Sequence, residues 1–182
     1  MKARDFDLAK LDVEAFAKAG ARVEGAWPLV RLERLASSAL RAAETPEVGW
    51  LARGELRPMS GGPPQVWLHI EASTQVMLEC QRCLGPVAVD VGAKRSFLFV
   101  HGENTAAELD SDSEDDVLAL TRSLDVPELI EDELLLALPL VPRHETCPVP
   151  LQAADSAALS EGDDAPHPFA ALAALKRGGL PN

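Results

Sequence analysis

Three cysteines and one histidine are the residues of this chain whose types and spacing are best suited to chemistry. Cys80 and Cys83 form a Cys-x-x-Cys pair, and His144 and Cys147 form a later His-x-x-Cys pair. A Cys-x-x-Cys in a turn between two strands points both sulfurs the same way, as in a zinc knuckle, and Zn²⁺ prefers four tetrahedral thiolate or imidazole ligands. The spacing therefore predicts a Cys₃His structural zinc site, which closes a loop of about 60 residues at a modest entropic cost.

Two other interpretations of the cysteines stay open at this point. A redox dithiol is one, although in such enzymes the first cysteine starts a helix within a βαβ unit, whereas Cys80 follows a strand-like run. Small, buried thiols that bind nothing are the other, since free cysteine is among the most buried residue types. The lone His-x-x-Cys is the weaker half of the predicted site. An odd count of three cysteines argues against a disulfide framework.

Strands are predicted on both sides of the Cys-x-x-Cys. Apolar and polar residues alternate over 48–52 and again over 66–70, and the Gly- and Pro-rich segment 60–64 between them predicts a hairpin turn. The segment 76–79 enters the Cys80 turn and 86–100 leaves it. Paired antiparallel strands are the simplest arrangement for these segments.

Helices are predicted before and after these strands. Apolar residues recur at steps of three and four over 8–18 and over 28–43. Near the other end, 117–120 predicts a short strand, and Asp125 is a suitable N-cap for a helix that stops at Pro139. The predicted fold class is α+β, an antiparallel sheet packed against a few helices, with acidic linkers and a short C-terminal helix.

The domain organisation follows from composition. Residues 1–150 are predicted to form a single α+β domain, within which 101–116 carries seven acids and no Lys or Arg and is interpreted as a flexible acidic linker. Residues 151–182 are interpreted as an acidic tether followed by a short amphipathic helix. The apolar residues of that helix are Phe169, Leu172 and Leu175.

Charge is divided unevenly along the chain. Residues 1–100 carry 13 Lys and Arg against 12 Asp and Glu, whereas residues 101–182 carry 4 against 17. The second part should repel RNA, whose affinity for proteins comes from neutralised phosphates. Two interpretations of its acids stay open: they attract a basic protein, or they form a solvated, solubilising face. The acids Glu131, Asp132 and Glu133 are interpreted as the solvated stripe of a helix rather than as acid–base catalysts.

Several function classes are disfavoured by the sequence. The charged start does not have the pattern of a signal peptide, and the longest apolar run, 134–141, is far shorter than a membrane span. We find no phosphate-binding Gly-rich loop and no recognisable nucleophile elbow. We therefore expect a cytoplasmic, non-enzymatic protein with no membrane contact.

Three sequence blocks in order resemble the bacterial YceD family, the large ribosomal RNA subunit accumulation proteins. They are the Leu78–Cys83 block LECQRC, the Glu131–Leu134 block EDEL that leads to Leu138–Pro142 (LPLVP), and the Pro168–Lys176 block PFAALAALK. Some members carry a second Cys-x-x-Cys late in the chain, where this sequence has His144 and Cys147.

The resemblance implies a non-enzymatic role in the synthesis, processing or stability of 23S rRNA during large-subunit assembly. An acidic adaptor for a basic ribosomal protein, with ribosomal protein L32 as a candidate, is one form of this role. Direct binding to the rRNA precursor is the alternative, and a Cys-dependent redox or metal enzyme is a weaker one. The residues expected to contact RNA or a partner are Arg82, Lys94, Arg95, Phe169, Leu172 and Leu175.

Overall fold

Five strands and four α-helices make up the part of the protein that the computed structural model describes, residues 6–41 and 45–148. The strands are β1 (Arg22–Pro28), β2 (Glu47–Arg57), β3 (Gln65–Glu79), β4 (Pro86–Val100) and β5 (Asp116–Ala119). The helices are α1 (Val13–Lys18), α2 (Glu33–Ser38), α3 (Glu103–Asp112) and α4 (Val126–Leu136), with short 3₁₀ turns at Leu8–Lys10 and Leu29–Arg31. This architecture confirms the predicted α+β class.

The strands lie side by side in chain order, and all neighbours are antiparallel except β4 and β5. The β3–β4 pair is the longest and runs from Val66 opposite Phe99 to Glu79 opposite Pro86. Both predicted hairpins, β2–β3 and β3–β4, are confirmed, and the Cys80–Cys83 turn joins the strands of the second. The long β3–β4 ladder therefore fixes where this turn lies.

One face of the sheet carries the main hydrophobic core. Helix α1 packs on β2 and β3, α4 packs on β3 and β4, and α2 packs on α4. Alternate residues of β3, such as Leu68 and Ile70, point into this core and meet Phe16 of α1 and Leu134 of α4 in one buried cluster. The alternation follows from the period of two in a strand, which places every second side chain on the same face.

The acidic segment, residues 101–116, differs from its prediction as a flexible linker. It contains α3 and leads into β5, which pairs with β4 in parallel. Adjacent parallel strands require a crossover connection of about a dozen residues or more, usually helical, and α3 supplies it. Asp110 Oδ1 accepts a 2.9 Å hydrogen bond from the Val117 backbone N–H and so ties the helix to the strand.

Smaller differences have local causes. Strand β1 was not predicted because Trp27 is its only buried residue, so it lacks an alternating pattern. The helix expected over 28–43 ends at Ser38. The helix near the end of the domain is confirmed together with its N-cap, since Asp125 Oδ1 accepts the Glu128 N–H at 3.0 Å, but it ends at Leu136.

The chain divides into two compact units after Cys147. The predicted tether 151–182 and its helix lie outside the described residues, so the domain organisation stays a prediction. Among the helices that the structure describes, none is long and apolar enough to cross a bilayer.

Candidate metal centre

The Cys80–Cys83 turn is closed by backbone hydrogen bonds at the end of the β3–β4 hairpin. The Cys80 N–H donates to the Gly85 carbonyl and the Leu84 N–H donates to the Cys80 carbonyl, both at 2.8 Å. Leu84 has a φ of 58°, in the left-handed region that an L-residue enters at a cost of about 1–2 kcal/mol. The turn is therefore held in a strained conformation by its surroundings, and Leu84, not Gly85, supplies the left-handed residue.

The His144–Cys147 loop follows α4 and returns to this turn. The Gln81 N–H donates a 2.8 Å hydrogen bond to the Pro142 carbonyl, which places the start of the loop beside the turn. Because α4 packs on β3 and β4, its C-terminal end directs the chain back toward the end of the hairpin. The structure thus brings together two pairs of residues that are far apart in the sequence.

The four predicted ligands converge. The Sγ atoms of Cys80, Cys83 and Cys147 and a ring nitrogen of His144 all lie within 4.8 Å of one another. We call this group, with its turn and loop, the knuckle. Its convergence does not fit three unrelated buried thiols.

Two distances in the knuckle fit a tetrahedral zinc ion. Bond lengths of 2.3 Å to sulfur and 2.0–2.1 Å to nitrogen place two sulfurs about 3.8 Å apart and a sulfur about 3.6 Å from a nitrogen. Cys80 Sγ lies 3.9 Å from Cys147 Sγ, and Cys83 Sγ lies 3.5 Å from His144 Nδ1. The donor set and its spacing therefore fit Zn²⁺.

The His144 ring is oriented by its second nitrogen. His144 Nε2 lies 3.0 Å from the Pro86 carbonyl oxygen, to which it can only donate, so the neutral ring keeps an unprotonated Nδ1. That nitrogen faces Cys83 Sγ. A hydrogen bond from the non-ligating nitrogen to a carbonyl is the usual support of a metal-binding histidine.

The electrostatics of the turn favour one thiolate. Burial opposes ionisation of Cys80, but backbone amides of Cys83, His144 and Arg82 outweigh it and lower the pKa of Cys80 to about 5. At Cys83 the Gly85 amide favours the thiolate, whereas burial and the neighbouring Cys147 and Cys80 sulfurs raise the pKa. Sulfurs this close compete for ionisation unless a cation lies between them.

Arg82 binds the loop of the knuckle. Its Nε lies 3.0 Å from Cys147 Sγ, and its Nη2 lies 2.9 Å and 3.1 Å from the carbonyls of His144 and Glu145. The hydrogen bond to Cys147 is the main cause of a raised pKa at Arg82. Three thiolates with Zn²⁺ carry a net charge of −1, which one guanidinium neutralises. Arg82 was predicted to contact RNA or a partner, and this structural role in the knuckle was not predicted.

The other predicted contact residues are separated from the knuckle or lie outside the described residues. Lys94 pairs with Glu71 across β3 and β4, and Arg95 Nε binds Glu133 Oε2 at 2.9 Å. Both retain exposed side chains, so their role in contact stays a prediction. Phe169, Leu172 and Leu175 lie outside the described residues.

The interpretation of Glu131 and Glu133 as a solvated stripe is wrong. Both are buried, at 7% and 9% exposure. Glu131 Oε1 accepts the backbone N–H groups of Arg34 and Leu35 at 2.7 Å and 3.0 Å, and its Oε2 accepts Arg34 Nε at 3.0 Å. Since α2 has no side-chain N-cap of its own, Glu131 caps it from another helix. One available signal was that Glu131 lies beside Ile130 and Leu134, the buried stripe of α4.

A Ser–His–Glu chain lies on the other face of the sheet. His69 Nδ1 is 2.7 Å from Ser96 Oγ, and His69 Nε2 is 2.9 Å from Glu55 Oε2. Arg53 and Arg57 also bind Glu55. Burial lowers the pKa of His69, while the hydrogen bond to Arg57 is the main cause of a lowered pKa at Glu55. With two guanidinium groups already on the carboxylate, its support for a charged imidazole is weakened, so the chain is better explained as cross-strand pairing than as a catalytic triad.

The fold and the site define an α+β protein whose longest hairpin ends in a Cys₃His cluster. The family model described as "Large ribosomal RNA subunit accumulation protein YceD" matches residues 68–176, a range that includes all three cysteines and the histidine of the knuckle. The chain is 35% identical over 119 residues to the large ribosomal RNA subunit accumulation protein YceD of Haemophilus influenzae, which covers 63% of this chain and 68% of that relative.

This chain belongs to the YceD family, as its three sequence blocks predicted. The family is named for accumulation of large-subunit ribosomal RNA and not for a catalytic activity. No solved structure matches the chain.

Proposed function

We propose that this protein is a cytoplasmic, non-enzymatic factor that supports the accumulation of 23S rRNA during assembly of the large ribosomal subunit. Membership of the YceD family is the observation that carries this proposal. The knuckle supports the non-enzymatic part, because four protein donors would fill all four positions of a tetrahedral zinc ion and leave none open for a substrate, as in a structural site.

In this proposal the knuckle binds one structural zinc ion through Cys80, Cys83, His144 and Cys147. The ion would join the β3–β4 hairpin to the loop that follows α4, and so would hold two distant parts of the family region together. Arg82 positions the loop and offsets the net negative charge of the site.

The protein would act through a basic ribosomal protein, with ribosomal protein L32 as a candidate, more than through RNA. Two features of the charged residues support this preference. Arg82, Arg95 and Lys94, the cations among the residues expected to contact RNA or a partner, are each bound to a group of the protein itself. The seven carboxylates of the acidic segment are exposed, and they would repel a phosphate backbone.

Deletion of the gene tests the cellular part of the proposal. We expect the ratio of 23S to 16S rRNA to fall, and to recover when the wild-type gene or the Gln81→Ser variant is supplied. Gln81 is an exposed residue of the same turn that is not a metal ligand, so this variant is the matched control for Cys80→Ser. An unchanged ratio in the deletion strain would contradict the proposed function.

A further inference from the structure

A large groove lies at the end of the sheet where β3 begins, whereas the knuckle lies where β3 ends. It has a volume of about 670 Å³, within the range of protein binding pockets. Helix α1, the turn between β2 and β3, and the C-terminal part of α3 form its walls. We define the groove by Leu56, Met59, Val66, Phe99, Leu109 and Asp112, which are among its lining residues.

The floor and rim of the groove are apolar. Val66 and Phe99 belong to the buried core at its base, whereas Met59 and Leu109 line the groove with 51% and 44% of their surface exposed. Large, exposed apolar side chains beside one cavity are typical of an interaction site rather than of scattered surface residues. The groove therefore offers an unpartnered apolar surface for side chains of another molecule.

One side of the groove is strongly acidic. Asp112, at the end of α3, lines the groove. The acidic segment around it carries seven exposed carboxylates: Glu103, Glu108, Asp110, Asp112, Glu114, Asp115 and Asp116. Within residues 6–41 and 45–148, none of the seven takes part in an ion pair. On the opposite wall, Lys18 is bound by Glu14 at 2.7 Å, so this lysine does not offset the acids of α3.

We propose that the groove docks a segment of a basic protein, one that presents apolar side chains between Lys and Arg residues. The apolar floor would take the apolar side chains, and the acidic wall would attract the cations and accelerate the encounter. An RNA strand would meet repulsion from the same wall. A second copy would bring an identical acidic wall against the first in a symmetric dimer, which is also repulsive. Charge complementarity thus favours a basic protein segment over both.

The inference rests on the proposed function only for the biological identity of the basic protein. If the groove binds its peptide but deletion leaves the ratio of 23S to 16S rRNA unchanged, the proposed function fails and the groove inference holds. The two failures can therefore be distinguished. Conversely, if deletion lowers the ratio of 23S to 16S rRNA but the peptide does not bind, the proposed function holds and the groove has no part in it.

Fluorescence polarisation with the full chain tests the inference. The probe is a labelled synthetic peptide of about 14 residues that alternates Lys or Arg with Leu and Ser, and two matched peptides replace every Leu by Ser or every cation by Glu. Burial of two Leu side chains should make the first peptide bind at least about tenfold more tightly than the Ser version. The Glu version should not bind, and binding of the first peptide should weaken as salt is raised.

Variants locate the binding on the protein. Leu109→Ser should weaken the basic peptide at least about fivefold, since it removes an apolar contact of the groove. Its control is Leu136→Ser, which changes an exposed leucine of α4 outside the groove. The double variant Glu108→Gln with Asp112→Asn should also weaken binding. Its control, Glu33→Gln with Glu79→Gln, removes two exposed charges elsewhere. Circular dichroism confirms that each variant is folded.

Three outcomes would overturn the inference. Equal binding of the Leu and Ser peptides, with no effect of Leu109→Ser, would show a non-specific charge attraction. A dimer in solution that Leu109→Ser dissociates would assign the groove to a second copy. If a single-stranded RNA binds more tightly than the basic peptide, and Leu109→Ser abolishes that RNA binding, the groove would be assigned to RNA.

Discussion

The knuckle and helix α4 use their charged groups in the opposite way to the acidic segment. In the knuckle, Arg82 binds Cys147. In α4, Glu131 binds Arg34 and Glu133 binds Arg95. In the acidic segment, all seven carboxylates belong to exposed residues, and none forms an ion pair with the described residues; Asp110 alone accepts a backbone N–H, that of Val117.

The contrast shows that a run of acids in a sequence does not reveal whether the acids hold the fold or face a partner. Glu131, Asp132 and Glu133 look as solvated as the acidic segment does, yet two of them are buried. Burying a carboxylate costs free energy unless hydrogen bonds and a cation compensate. A buried carboxylate that has such partners is therefore part of the structure of the fold. Exposed, unpaired carboxylates stabilise little and are available for binding.

The largest effect is expected at the knuckle. Cys80→Ser should lose bound zinc and lower the free energy of unfolding by at least about 3 kcal/mol, because structural zinc contributes directly to folding. Zinc content by mass spectrometry and urea denaturation measure the two changes. Gln81→Ser should keep both the metal and the stability. A wild-type protein without zinc, with no loss of stability in Cys80→Ser, would return the cysteines to the class of inert buried thiols.

The next effect is expected at Glu131. Glu131→Ala leaves the Arg34 and Leu35 amides of α2 without their acceptor and should cost about 2–4 kcal/mol. Asp132→Ala is the matched control, since Asp132 binds only the half-exposed Arg34 guanidinium and should cost less than about 1 kcal/mol. Chemical denaturation of both variants measures the difference. Equal, small losses would mean that the buried carboxylate is no more structural than its exposed neighbour.

The smallest effect on stability is expected in the acidic segment. Glu108 and Asp112 are four residues apart on α3, so their like charges repel, and Asp112 also opposes the helix dipole at the C-terminus. Glu108→Gln with Asp112→Asn should therefore change stability by no more than about 0.5 kcal/mol, in the stabilising direction. Thermal denaturation at low salt checks this. A loss above about 2 kcal/mol would show that these acids hold the fold together.

The sequence predicted those parts of the fold and site that depend on local pattern. Alternation around the Cys80 turn indicated the β3–β4 hairpin, and Asp125 with Pro127 indicated the start of α4. The types and spacing of Cys80 and His144 likewise indicated a cluster that the structure brings together.

The remaining features depend on contacts between distant residues. The acidic segment was misread because its composition describes an isolated chain, whereas its helix is the crossover that the parallel pairing of β4 and β5 requires. The direction of the Arg82 side chain depends on a loop more than 60 residues away. The cap that Glu131 places on α2 likewise joins residues 97 positions apart.

Affinity capture of the tagged full chain from cells, with and without ribonuclease, tests most directly whether the protein works through a basic protein partner. We predict that a basic ribosomal protein remains bound after ribonuclease treatment. We also predict that its recovery falls in the Glu108→Gln, Asp112→Asn variant and is unchanged in the Glu33→Gln, Glu79→Gln control. Capture of 23S rRNA alone, or of ribosomal proteins that all disappear with ribonuclease, would contradict the account.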